Sequence, residues 1–181
     1  MYSPHFAAAL AIKSRTPQAP LWALLIGAFL ADLVWIVLAR LGVEPTQPSF
    51  FDDWSHSLFS IVVLATLFAV FFWKKGRRVL VAVWYAVFSH FLLDFPVHPN
   101  RLALYPESHL HLGWDLLSWG SRQAWFGATN DWWLQLVVLV ALLLFYARGM
   151  RMRQVRMNVI LGSCVVLFGL QLLMLSSCVG Y

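Results

Sequence analysis

Apolar residues run through this chain in long stretches, near residues 19–41, 55–73, 79–95 and 132–148, with a fifth near 157–177. A helix needs about 20 consecutive apolar residues to cross the hydrocarbon of a bilayer, and these runs approach that length. The pattern predicts an all-α, polytopic membrane protein of about five transmembrane helices, forming one integral domain over residues 1–181. Ser3-Pro4 reads as a helix cap followed by proline at the first helical position, opening a short N-terminal helix. That helix either lies on the cytoplasmic surface or starts outside and dips inward to end at Lys13. Between the third and fourth runs lies the segment Pro96 to Asp131, rich in Trp, His, Pro and Gly. Within it, Ser108-His-Leu-His-Leu-Gly-Trp-Asp-Leu-Leu-Ser-Trp119 has helical spacing and predicts an outer interfacial helix.

Composition narrows the class further. Hydrophobic residues make up 61% of the 181 and charged residues 12%, against roughly a quarter charged in an ordinary soluble domain. Too little polar surface is present to cover a soluble core, so lipid must cover it. The net charge of +5 does not indicate nucleic acid, because the basic residues form short clusters between apolar runs. Ten Trp agree with two membrane–water boundaries. Cys164 and Cys178 lie too far apart on one run to meet, so free thiols are expected. The first long run exceeds a signal-peptide core and lacks a small-residue cleavage site, so it is expected to be retained.

Charge asymmetry sets the expected orientation. With Lys13/Arg15, Lys74/Lys75/Arg77/Arg78 and Arg148/Arg151/Arg153/Arg156 in the cytoplasm, ten of the thirteen basic residues lie inside. Only Arg40, Arg101 and Arg122 remain outside. The expected location is the bacterial inner membrane, with the ionisable residues facing the periplasm or exterior.

Those residues gather on that outer side. Asp32 lies in the outer half of the first run, His56 at the outer start of the second, and His90 with Asp94 at the outer end of the third. His98, His109, His111 and Asp115 follow in the segment 96–131. Ionisable groups at membrane depth are costly and mark functional sites by default. His90 and Asp94 are four apart and share a helix face, and His111 and Asp115 repeat that spacing. Imidazole and carboxylate together suit zinc or a similar divalent ion. Ser55, Ser57 and Ser89, beside these histidines, are candidates to orient the imidazoles. Plainer accounts exist for single residues. Asp32 has Arg40 as an alternative partner, His56 and His109 suit the headgroup region, and His98 suits a turn. Arg101 and Arg122 read either as interface side chains or as holders of a substrate phosphate. Asp52, Asp53 and Glu107 read as solvated loop charges.

His5, then Ile26-Gly-Ala-Phe-Leu-Ala-Asp32, Trp54-Ser-His56-Ser and Phe88-Ser-His90-Phe-Leu-Leu-Asp94 together resemble the bacterial membrane-bound metal-dependent hydrolase family, of the LexA-regulated inner-membrane type. The chain departs from that family at Val34, where a second acid is usual, and at Phe51-Asp-Asp53, where His-Arg-Gly is usual. More distantly, the order of residues is similar to zinc-dependent phospholipase C and the single-strand nucleases, over most of the chain to about residue 120. That similarity implies two or three ions, most plausibly zinc with manganese as the alternative. It implies one ion among Asp32, His56, His90 and Asp94, a second on His98, His111 and Asp115, and a third on His5 with bridging Asp94.

The expected function is a metal-dependent hydrolase of phosphoesterase type at the outer leaflet, cleaving a lipid or lipid-linked phosphoester. Asp32 and Asp94 are its candidate catalytic carboxylates, and Arg101 and Arg122 its substrate-binding cations. Two alternatives belong to other classes. One is metal transport or sensing, although the inner halves of the runs offer no polar steps across the membrane. The other is a non-catalytic scaffold with a structural metal.

Overall fold

The computed structural model describes residues 2–44, 53–96, 102–113 and 130–178. Its helices are α1 (Tyr2–Arg15), α2 (Leu21–Ala28), α3 (Leu30–Arg40), α4 (Asp53–His56), α5 (Leu58–Val70), α6 (Arg77–Asp94), α7 (Asn130–Arg151) and α8 (Met157–Cys178). The architecture is mostly helical, as the apolar runs imply. The Trp132–Arg151 stretch of α7 is long and apolar enough to cross a membrane, with a mean hydropathy of 1.8. The pair α2–α3, bent by 50°, passes the same test only when taken as one broken span.

The expectation of five full-length spans is not met. Helix α5 has 13 residues and α6, at 18, carries Arg77, Arg78 and Asp94 at its ends. Leu58–Val70 is apolar but shorter than a span, whereas α8 runs apolar for 22 residues, from Met157 to Cys178.

Helix α1 is central. It packs against α7, α2, α6 and α8, so it belongs to the bundle instead of lying on a surface. Its small residues Ala7, Ala8, Ala9 and Ala11 are buried and allow close approach. At the far end, a Cβ on Gly149 would sit 2.6 Å from Ser14 Oγ, so only glycine admits α1 against α7 there. The predicted cap at Ser3 is not one: α1 already begins at Tyr2, and the buried Ser3 hydroxyl has no hydrogen-bond partner among the described residues.

Two apolar clusters fill the bundle. One joins α1, α2, α5 and α6 through residues such as Ala23, Leu24, Val83 and Ala86, and the other joins α1, α7 and α8 through Leu139, Leu143, Tyr146 and Ile160. A smaller cluster of Ala31, Ile61, Phe91 and Leu102 lies under the polar end. Many large apolar side chains stay exposed, among them Phe59 and Leu67 on α5, Val137 and Leu144 on α7, and Val165 and Val166 on α8.

The outer segment differs from expectation. Leu102–Ala103 (β1) pairs antiparallel with His111–Leu112 (β2), Leu102 opposite Leu112 and Ala103 opposite His111. The connection turns through Glu107, whose φ is 60°. The interfacial helix expected from Ser108 onward is therefore a hairpin as far as Gly113. The spacing of Leu110 and Leu112 with His109 and His111 has period 2, which suits a strand better than a helix. The rest of that stretch, with Asp115, lies outside the described residues.

Candidate metal centre

Five ionisable side chains from four helices meet at the polar end of the bundle. Helix α1 brings His5, α3 brings Asp32, α4 ends in His56, and α6 brings His90 and Asp94. One potential metal-ligand atom from each of His5, His90 and Asp94 lies within 4.8 Å of the others, and the same holds for Asp32, His56 and His90. His90 belongs to both groups and so stands at the centre.

The helical register of α6 does the first part of the work. Four residues apart, His90 and Asp94 face the same way, with Nε2 3.2 Å from Oδ2. Both are buried, at 1% and 2% exposure. The other oxygen, Asp94 Oδ1, lies 3.3 Å from His5 Nε2. The His5 ring stacks on the His90 ring, with centroids 3.9 Å apart and planes 5° from parallel. His5 is fully buried, yet neither of its ring nitrogens makes a hydrogen bond among the described residues. Its Nε2 is close to Asp94 but not aligned to donate to it. That geometry suits two groups facing a common point better than a pair bonded to each other.

The bend between α2 and α3 does the second part. Phe29 leaves helical geometry at φ −110° and ψ 5°, and its N–H donates to the Ile26 carbonyl, closing a tight last turn. A helix end leaves carbonyls without intrahelical partners. The Ala28 carbonyl is one, and it accepts the Nδ1–H of His90 at 2.9 Å. Gly27 makes this possible: a Cβ there would lie 3.2 Å from Val87 Cγ2, so glycine lets α2 approach α6.

With its proton on Nδ1, a neutral His90 points the Nε2 lone pair at Asp94 and at Asp32, whose Oδ1 is 3.9 Å away. A lone pair facing two carboxylates is stable only when a proton or a metal cation lies between them. Anchoring a ligand histidine through its second nitrogen is the usual way a protein orients a metal site.

His56 completes the second group, its Nε2 3.5 Å from Asp32 Oδ1. Its Nδ1 lies 2.7 Å from Ser55 Oγ. Ser55 is fully buried, and its backbone N–H donates to Glu44 Oε1 at 2.7 Å. Glu44 is itself 4% exposed, so a buried carboxylate holds the short helix that presents His56. Nothing in the local sequence around Glu44 marks it, because its partner lies eleven residues on.

Of the residues expected in the site, His5, Asp32, His56, His90 and Asp94 come together. His98, Arg101, Asp115 and Arg122 lie outside the described residues, as does Asp52. His111 sits on β2 with Nε2 3.5 Å from Asp53 Oδ1, so the helical spacing that tied it to Asp115 does not apply. Asp53 is correspondingly not a solvated loop charge, since its side chain is only 14% exposed. His109 and Glu107 are exposed. Asp32 has histidine partners, so the Arg40 pairing is not its account. Of the three serines, only Ser55 touches a site imidazole. Ser57 caps α5, accepting from the Ser60 N–H at 3.3 Å, and Ser89 donates to the Ala86 carbonyl of its own helix at 2.8 Å.

Compared with protein-family models, with curated proteins and with solved structures, the chain finds no significant match. The case for function therefore rests on the residues and their geometry.

Proposed function

We propose that the chain is a membrane-embedded, multi-pass, metal-dependent hydrolase whose site lies toward the outer leaflet of a bacterial inner membrane. The observation that carries this reading is the buried convergence of His5, His56, His90, Asp32 and Asp94, with His90 fixed so that its Nε2 faces both carboxylates. Three imidazoles and two carboxylates form a donor set that fits zinc, with manganese the alternative. Asp94, with one oxygen toward His5 and the other toward His90, would help hold the metal beside both histidines.

A divalent ion in this position supplies activation of water and neutralisation of phosphoryl oxygens. The chain's own groups would supply the remainder. Asp32 Oδ2 has no hydrogen-bond partner among the described residues, and it is the group we assign to orient an attacking water and take its proton. Asp94 holds the ligand set together. Arg101 and Arg122 are assigned to the non-bridging oxygens of a lipid or lipid-linked phosphoester.

The membrane reading is supported by the exposed apolar faces of α5, α7 and α8 and by α7 itself. Only 17% of its span window is buried, unlike the core helix of a soluble protein. Basic residues sit at the end of the bundle away from the histidines, which favours an outward-facing site. The packing between the two ends is built from Ala, Leu and Val, which favours a hydrolase over a transporter. The test is elemental analysis of the protein purified in mild detergent, followed by a screen of lipid phosphoesters. One or more equivalents of zinc or manganese with phosphoester turnover is expected. A folded protein that takes up no divalent metal on reconstitution defeats the proposal.

A further inference from the structure

A groove of about 470 Å³ runs along the bundle between α1, α6 and α7, on a face of α6 different from the one that carries His90. Its walls are almost entirely apolar, from Ala8 and Ala11 on α1 to Val81 and Leu92 on α6 and Phe145 on α7. The small side chains of α1 give it depth. Two arginines, Arg15 and Arg78, line its basic end. The Arg15 guanidinium is held over the Phe145 ring, 4.5 Å from the centroid, and so stays at the mouth. Among the described residues no carboxylate forms an ion pair with either arginine.

An apolar slot closed at one end by two uncompensated cations matches an amphiphile with a chain and an anionic head. Its size falls within the roughly 300–1,000 Å³ of ligand sites. We infer that this groove is a binding site for an anionic phospholipid of the basic-side leaflet, with an acyl chain along α1 and α6 and its phosphate between Arg15 and Arg78. The inference rests on the membrane reading above but not on the hydrolase reading. The phosphate lies at the opposite end from the histidines, so the bound lipid is not the substrate. It fills the space between α1, α6 and α7.

The experiment is native mass spectrometry of the full chain in detergent, titrated with dioleoyl phosphatidylglycerol or with phosphatidylcholine of the same chains. Wild type is expected to retain one phosphatidylglycerol at least ten-fold more strongly than phosphatidylcholine. The Arg15→Gln/Arg78→Gln double variant should lose that preference, and Val81→Trp, which fills the groove from its exposed side, should weaken both lipids. Equal retention of the two lipids by wild type, or an undiminished preference in the double variant, overturns the inference. So does displacement by millimolar glycerol 3-phosphate, which would show a phosphate site with no role for the chain. Metal measured in the same samples separates the two claims: lipid retained without metal defeats the hydrolase reading alone, and metal without lipid preference defeats this one alone.

Discussion

The two ends of the bundle carry most of its ionisable residues and treat them in opposite ways. At one end, three imidazoles and two carboxylates are drawn inward, and His5, His90 and Asp94 are almost completely buried. At the other, the cations point outward and satisfy backbone carbonyls: Lys13 donates to Pro17 and Ala19, and Arg153 to Ser14 and Arg15. Basic groups at helix C-termini complement the helix dipole and keep most of their hydration. That end would be stable in any protein of this shape. The histidine end is different, because burying several ionisable groups side by side is costly unless something between them compensates. Chemistry is therefore expected at one end and only topology and anchoring at the other.

The largest effect should come from His90 and Asp94. In His90→Ala the metal loses the one imidazole shared by both ligand groups, and the Ala28 carbonyl is left without its donor, at a cost of roughly 1–3 kcal/mol. Asp94→Asn keeps the shape but removes the charge between His5 and His90. Both variants should lose essentially all bound metal by elemental analysis, and phosphoester turnover should fall at least a hundred-fold. Unchanged metal content in both would mean that the buried cluster is held by protons alone.

A milder break leaves every ligand in place. Gly27→Val puts a branched side chain where Val87 Cγ2 already lies within 3.2 Å of a Cβ. Helix α2 must then move from α6 and take the Ala28 carbonyl from His90 Nδ1. Loss of such an orienting partner typically lowers metal affinity roughly 10–100-fold, read by competition with a chelator of known affinity. Affinity equal to wild type would show that His90 needs no anchor.

How much of this could be read from the residues alone depends on how local each signal is. The His90–Asp94 pair was legible because four residues on one helix fix a shared face. Asp32 and His56 were legible because the apolar runs and the basic clusters predict that both fall at the same end of the bundle. His5 was legible only as a position in the order of residues; its burial depends on how α1 packs, which its own sequence leaves open. Three features were not legible. The Ala28 carbonyl is backbone, available through a bend that no proline marks. Glu44 acts on a residue eleven positions further along the chain. The element around His111 was misread because Ser108 to Gly113 fits both periods, and pairing with Leu102–Ala103 decided for the strand. The five long runs were legible as apolar, but the division of the first two into shorter helices depends on turns such as Phe29 and Ser57 that carry no strong breaker.

Glu44 and Ser55 test whether the buried end depends on groups that touch no ligand atom of Asp32 or His90. Ser55→Ala removes the contact to His56 Nδ1, and Glu44→Ala removes the acceptor for the Ser55 N–H. Each should weaken metal affinity by roughly ten-fold, the lower end of the range for such partners. Glu44→Gln retains an acceptor oxygen and should recover most of the loss. If Glu44→Gln is as damaging as Glu44→Ala, its charge is what matters, and Glu44 belongs with the ligands.

The smallest effect belongs to the opposite end and sharpens the contrast most directly. Arg153 is exposed, and its Nε donates to the Ser14 carbonyl at 2.9 Å and its terminal nitrogen to the Arg15 carbonyl at 3.4 Å. Arg153→Gln therefore removes a charge from the α1 C-terminus without opening the core. Because water solvates both the lost cation and the freed carbonyls, the change in stability should stay below about 1 kcal/mol and shrink further in high salt. Metal content and turnover should match wild type. A variant that unfolds, or that sheds metal while folded, would mean that the α1 C-terminus controls the position of His5 across the length of the helix. The two ends would then form one mechanical unit, and the division between an anchoring end and a reactive end would not hold.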